Sequence, residues 1–113
     1  MIRRLNPLAA GFTNPGSRSG DKLATLIQIA LFTAQHGMRR VNLALLPANQ
    51  STTGSEADLN RLGFWLRAGA WSNIDQGPEL APPEEDLATA RHLGCRVAET
   101  TLQFVRGPRR PGC

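Results

Sequence analysis

Residues 8–38, LAAGFTNPGSRSGDKLATLIQIALFTAQHGM, constrain the fold more than any other part of the chain. The run at 8–13 is short, apolar and not alternating, the pattern of a strand covered on both faces. Residues 14–20 hold one Pro, two Gly and two Ser, a loop composition, and Ser19 reads as a helix N-cap with Asp21 in the first turn, where the dipole favours it. From Lys22 the apolar positions Leu23, Leu26, Ile27, Ala30, Leu31 and Ala34 recur at three- and four-residue steps, which predicts a helix over 21–36 with one stripe against a core. His36-Gly37 stops it, with Gly37 supplying the left-handed conformation after the last turn. Residues 41–46 form a second apolar run ended by Pro47, so the unit is β-α-β, and such a crossover is parallel and right-handed. The loop at 14–20 then lies beyond the carboxyl end of a strand and before a helix N-terminus, where open α/β sheets bind ligands.

The remainder continues in the same α/β style. Residues 48–63 are polar and turn-rich, with a short helix expected over 56–62, started by Ser55 with Asp58 three residues on. Residues 68–72 read as another short strand and 74–82 as a loop. Pro83 suits a first helical position, and Glu84, Glu85 and Asp86 suit the first turn, so a helix is expected over 83–105. Its inward face is expected to carry Leu87, Ala90, Leu93, Gly94, Val97, Ala98, Thr101 and Leu102.

The chain's 113 residues are one domain's worth. Its net charge of +4 invites a nucleic-acid reading, but Arg3, Arg4, Arg106, Arg109 and Arg110 lie at the two ends, and without them eight basic residues face nine acidic ones. With no basic stripe on either helix, we expect solvated ends, including a flexible basic tail at 106–113, and no nucleic-acid partner. No apolar segment is long enough to span a bilayer, so no membrane partner is expected. Asn6, Pro7 and the Thr13-Asn14-Pro15 break interrupt any export signal, and two cysteines, Cys95 and Cys113, do not make a disulfide framework. Both are expected as free thiols in a cytoplasmic protein. His36 and His92 stand on different helices without ligands at metal spacing, which argues against zinc. Ser17 and Ser19 lack the nucleophile-elbow glycines of a hydrolase. Trp65 and Trp71 are read as packing residues.

The motifs FTNPGSRSGD, the helix ending in QHGM, STTGSEADLNRLG, AGAWSN and PPEEDLATARHLGCRVAE together resemble the C-terminal half of the flavodoxin-like family, most closely the WrbA-type multimeric flavodoxins and NADPH-dependent FMN reductases. The resemblance covers about residues 8–99. It implies a three-layer fold with a parallel sheet, in which 8–13 is the fourth strand, 21–36 the fourth helix, 41–46 the fifth strand followed by an insertion, and 83–105 the last helix; the first three strands are absent.

In such proteins FMN sits at the carboxyl ends of the strands, and the loop after the fourth strand lies beside the ribityl chain and ring. The resemblance therefore implies cofactor-binding roles for Thr13, Asn14, Ser17, Arg18, Ser19 and Gly20, which spacing alone would leave as turn and cap residues. It implies hydride transfer from NAD(P)H to a quinone or flavin acceptor, with no side-chain acid or base required. The loop that normally holds the FMN phosphate is not found; Ser51-Thr52-Thr53-Gly54-Ser55 is read as ordinary loop. Two readings stay open: the C-terminal portion of an FMN-dependent oxidoreductase, completed by an N-terminal half, or a non-catalytic remnant or interaction module that forms a homo-oligomer through its exposed sheet edge.

Overall fold

The protein is described by a computed structural model over residues 7–47 and 51–106. The expected basic tail lies outside these residues, save for Arg106, which ends the last helix. Four two-residue strands and two helices follow in the order β1 (Leu8–Ala9), β2 (Phe12–Thr13), α1 (Lys22–Gln35), β3 (Arg39–Arg40), β4 (Ala68–Gly69) and α2 (Glu84–Arg106).

β1 pairs in parallel with β3, Leu8 opposite Arg39, and β2 pairs in parallel with β4, Phe12 opposite Ala68. The hydrogen bonds place both partners on one edge. The carbonyls of Pro7 and Ala9 accept from the N–H groups of Arg39 and Val41, and those of Thr13 and Pro15 accept from Ala70 and Ser72. All four acceptors have odd numbers, and in an extended chain alternate residues direct their backbone groups to the same side. Residues 39–41 and 68–72 are thus two successive pieces of one neighbouring strand, with 42–67 inserted between them.

This corrects the expected strand at 41–46. Only Val41 stays on the ladder; Ala44 takes a left-handed φ of 56°, and Leu43 and Leu45 leave the sheet to pack in the core. Of the strand expected at 68–72, Ala68–Gly69 is strand, and Ala70 and Ser72 continue the hydrogen bonds to β2 and its following loop without strand geometry. On the other edge of β1 and β2 no strand pairs among the described residues.

The helices cover opposite faces. Ala10 packs into the core of Leu43, Leu45, Ala68 and Leu93, which puts α2 on its side of the sheet. At the next residue, Gly11, an added Cβ would come within 3.2 Å of the Ile29 side chain of α1. Neighbouring residues of a strand face opposite sides, so helix, sheet and helix form three layers.

Helix α1 buries Lys22, Leu26, Ala30 and Thr33, a narrower stripe than expected; Leu23, Ile27 and Leu31 are at least half exposed. Its N-cap is Asp21, at a left-handed φ of 51° and without a side-chain cap, so neither the Ser19 cap nor an Asp21 inside the first turn is realised. Instead the Ser19 carbonyl accepts the Lys22 N–H at 3.0 Å in a tight turn through Gly20, whose φ is 53°. The stop is as expected: Gly37 adopts φ 68°, and its N–H and that of Met38 close the helix onto Ala34 and Thr33.

Helix α2 begins at Glu84 with the acidic first turn in place, but its inward face differs. Asp86, Thr89 and Leu93 are buried, while Leu87, Gly94, Ala98 and Thr101 are exposed. The rotation has a cause in the insertion, because both polar side chains find partners there: Thr89 Oγ1 accepts the Asn60 N–H at 2.9 Å, and Asp86 accepts from Arg61. Asn60, at φ 58°, also donates through Nδ2 to the Leu45 and Phe64 carbonyls, tying the insertion to the core. The helix expected over 56–62 is a series of turns. Its start signal does operate, with the Ser55 N–H donating to Asp58 and the Ala57 N–H to the Ser55 hydroxyl, but left-handed Asn60 stops propagation. Cys95 is disulfide-bonded, which corrects the expected free thiol. The expectation for Cys113 falls outside the described residues.

Candidate functional site

β2 and β4 run parallel, so both strands end at the same side of the sheet, and the loops that follow, 14–20 and 71–77, meet there. They are stitched along their length. Ser72 Oγ donates to Asn14 Oδ1 at 2.9 Å, the Ser72 N–H donates to the Pro15 carbonyl, and Trp71 Nε1 reaches the Gly16 carbonyl at 3.4 Å. A Cβ at Gly16 would lie 2.2 Å from a methyl of Ile74, so any side chain there would force the exposed Ile74 to move.

From beneath, Lys22 holds the same loop. Its side chain is buried, and Nζ donates to the carbonyls of Ser17, at 3.1 Å, and Arg18. Burial pushes the Lys22 ammonium below the usual lysine pKa; Asp86 opposes that shift, while Arg61 and Arg18 add to it. With these carbonyls turned inward, residues Ser17, Arg18, Ser19 and Gly20 form the exposed outer surface of the loop, beside exposed Asn14 and half-buried Thr13. All six residues expected at the site are therefore brought to one lip. Asn14 and Thr13 spend polar groups on internal bonds, the Asn14 side chain to Ser72 and the Thr13 carbonyl to Ala70.

Behind the lip lies a charged cluster that the sequence reading did not find. Asp86, 2% exposed, accepts from Arg61 Nε at 2.7 Å, from Arg61 Nη2 at 2.9 Å and from the Trp71 N–H at 2.9 Å. The bond to Asp86 is the main reason the Arg61 pKa is raised, against the effect of burial. The guanidinium carbons of Arg18 and Arg61 approach the Trp71 ring centroid to 5.4 and 5.8 Å, within cation–π range. Trp71 is thus a wall between the two loops rather than simple packing. The only signal for this in the sequence was an acid in the first turn of the last helix, which the dipole already explained. A cavity of about 560 Å³ opens at the start of α1, between Arg18 and Lys22 on one side and Arg61, Leu62 and Phe64 on the other.

The histidines take structural positions: His36 lies 4.4 Å from the Phe32 ring, and a ring nitrogen of His92 is 3.2 Å from the Leu43 carbonyl. Among the described residues no group of His, Cys, Asp and Glu could hold a metal ion, and no helix is long and apolar enough to cross a membrane.

No protein-family model matches the chain, and no solved structure matches it. It is 42% identical over 94 residues to flavodoxin FldP of Pseudomonas aeruginosa (strain UCBPP-PA14), an alignment that takes in 83% of this chain and 50% of the relative. The chain therefore spans about half the length of the protein it matches. A parallel sheet between two helices, with a loop lip at its carboxyl edge, fits that likeness, and together they support a flavodoxin-like family for this sequence.

Proposed function

We propose that the chain supplies one side of the FMN site of a flavodoxin-like electron-transfer protein, with Thr13, Asn14, Ser17, Arg18, Ser19 and Gly20 as the residues that would border the flavin. The observation that carries this reading is the lip itself: a loop at the carboxyl ends of parallel strands, with its carbonyls held inward by Lys22 and its serine hydroxyls and Arg18 outward. Those exposed donors fit the polar ribityl chain and the ring edge. When bound, FMN supplies the electron-accepting ring; the chain's residues bind and orient it.

In the finer form of the reading the complete protein is a WrbA-type, NAD(P)H-dependent quinone or flavin reductase. The residues here form one lip, so the remaining walls come from another segment, either an N-terminal half or a second copy of the chain. The open edge of β1 and β2 is the place for it. Exposed Phe12 at this edge, and exposed Leu23, Ile27 and Leu31 on α1, favour association, which is also what an interaction module without catalysis would show. Sedimentation and FMN titration separate the two. An oxidoreductase portion gains flavin binding and NAD(P)H oxidation when an N-terminal flavodoxin half is supplied in trans, whereas an interaction module self-associates and gains neither.

A further inference from the structure

The cavity at the start of α1 is ringed by cations from three separate parts of the chain: Arg18 from the loop, Lys22 from α1 and Arg61 from the insertion. Arg61 commits Nε and Nη2 to Asp86, but its Nη1 faces Glu56 Oε2 at 3.6 Å, and Arg18 Nη2 faces Glu56 Oε1 at 3.4 Å. Both separations exceed the roughly 2.7–2.9 Å of a strong charge-assisted bond. The Glu56 side chain is 57% exposed, so one loosely held carboxylate stands between two guanidiniums that converge on it.

Around this space Arg18, Lys22 and Arg61 already face Asp21, Asp86 and Glu85, so Glu56 is not needed for neutrality and is the acid that can yield to another anion. Like-charge repulsion from Arg61 and Arg18 is already felt at Lys22. We propose that Arg18 and Arg61, which both line the cavity, bind the phosphate group of a ligand in place of the Glu56 carboxylate, which pairs with both of them without itself lining the cavity. Glu56 is then a built-in competitor. Leu62 and Phe64 offer an apolar wall for whatever the phosphate is attached to, and a cavity of about 560 Å³ has room for it. Only the identity of that carrier rests on the flavin reading.

The test uses the full chain and three proteins: the parent, Glu56→Gln and Arg18→Gln, each also carrying Trp65→Phe so that fluorescence reports Trp71. They are titrated with inorganic phosphate, by calorimetry and by fluorescence. Glu56→Gln is expected to bind phosphate about threefold or more tightly than the parent, and Arg18→Gln about threefold or more weakly. Absence of binding in the Glu56→Gln protein, or affinities that the two substitutions leave unchanged, overturns the proposal. FMN against riboflavin and NADPH against NADH then identify the carrier, as the pair whose phosphate preference disappears in Arg18→Gln. Phosphate binding with the expected order and no preference in either pair supports the pocket while refuting the flavin reading.

Discussion

Replacing Arg67 with Met is expected to stabilise this chain. Arg67 is 1% exposed, and its Nη1 and Nη2 are buried with no hydrogen-bond partner among the described residues. Gly11 accommodates it, since a Cβ there would lie 3.1 Å from Nη1. Burial, and then the like charge of Arg40, push the guanidinium below its usual pKa, yet an arginine stays charged across any accessible pH. Titration therefore cannot relieve the penalty, and only substitution can. Each unmet buried donor costs about 1–3 kcal/mol, and apolar replacements for buried ionic groups gain about 1–4 kcal/mol where packing is kept. Met retains most of the aliphatic stem, so a net gain of about 1–3 kcal/mol follows. With a urea dependence of about 1–3 kcal/mol per molar, the midpoint should rise by roughly 1 M. Urea unfolding followed by tryptophan fluorescence measures it. A midpoint that falls on Arg67→Met would show that the guanidinium is satisfied in the folded chain and would refute the reasoning.

Asp86→Ala should be strongly destabilising, by about 3–5 kcal/mol, because it leaves Arg61 without its buried partner and frees the Trp71 N–H; urea melts together with a red-shifted Trp71 emission would register it. Lys22 should make stability depend on alkaline pH. Its folded pKa lies below the ordinary 10.5, so the folded chain sheds the proton first, and stability should rise as pH climbs from that lowered value toward 10.5. Melts at stepped pH should show this rise in the parent and its absence in Lys22→Met; equal pH slopes in the two would contradict the assignment.

Much of the backbone was legible because local signals agreed. Gly37 after an apolar-periodic run, and three acids after Pro83, mark helix ends by chemistry that needs no tertiary partner. The parallel direction of the crossover was as expected, but the paired residues are Arg39 and Arg40, ahead of the apolar run at 41–46. The fifth strand was misplaced because residues 41–46 look apolar whether they lie in a sheet or in a core. What removes Leu43 from the ladder is the left-handed Ala44 and the distant clamp by Asn60, neither of which has a local signature. The inward face of α2 was misread for a related reason: hydropathy assigns Leu87 to the core and Asp86 to water, whereas Arg61, 25 residues away in sequence, reverses that order. At the site, residue type marked 14–20 as a loop before a helix, and its proposed cofactor role came from the family resemblance. The support of this loop was not legible, because Arg61, Trp71 and Ser72 act through long-range bonds that composition does not encode, and the local bonds of Lys22 to the Ser17 and Arg18 carbonyls have no sequence signature.

The proposed role of residues 13–20, as one side of a flavin site, can be tested directly. Without the phosphate loop of the resembled family, and with only the Arg18–Arg61 pair beside the lip for an anion, the chain forgoes about three charge-assisted bonds of about 1.5–3 kcal/mol each, which weakens binding by roughly three to six decades. The direct measurement is an amide-resolved NMR titration of the chain with FMN. The account predicts millimolar or weaker binding, with shifts concentrated at Thr13, Asn14, Ser17, Arg18, Ser19 and Gly20 and at neighbouring Trp71. Shifts confined to other surfaces, or a micromolar or tighter site, would contradict it.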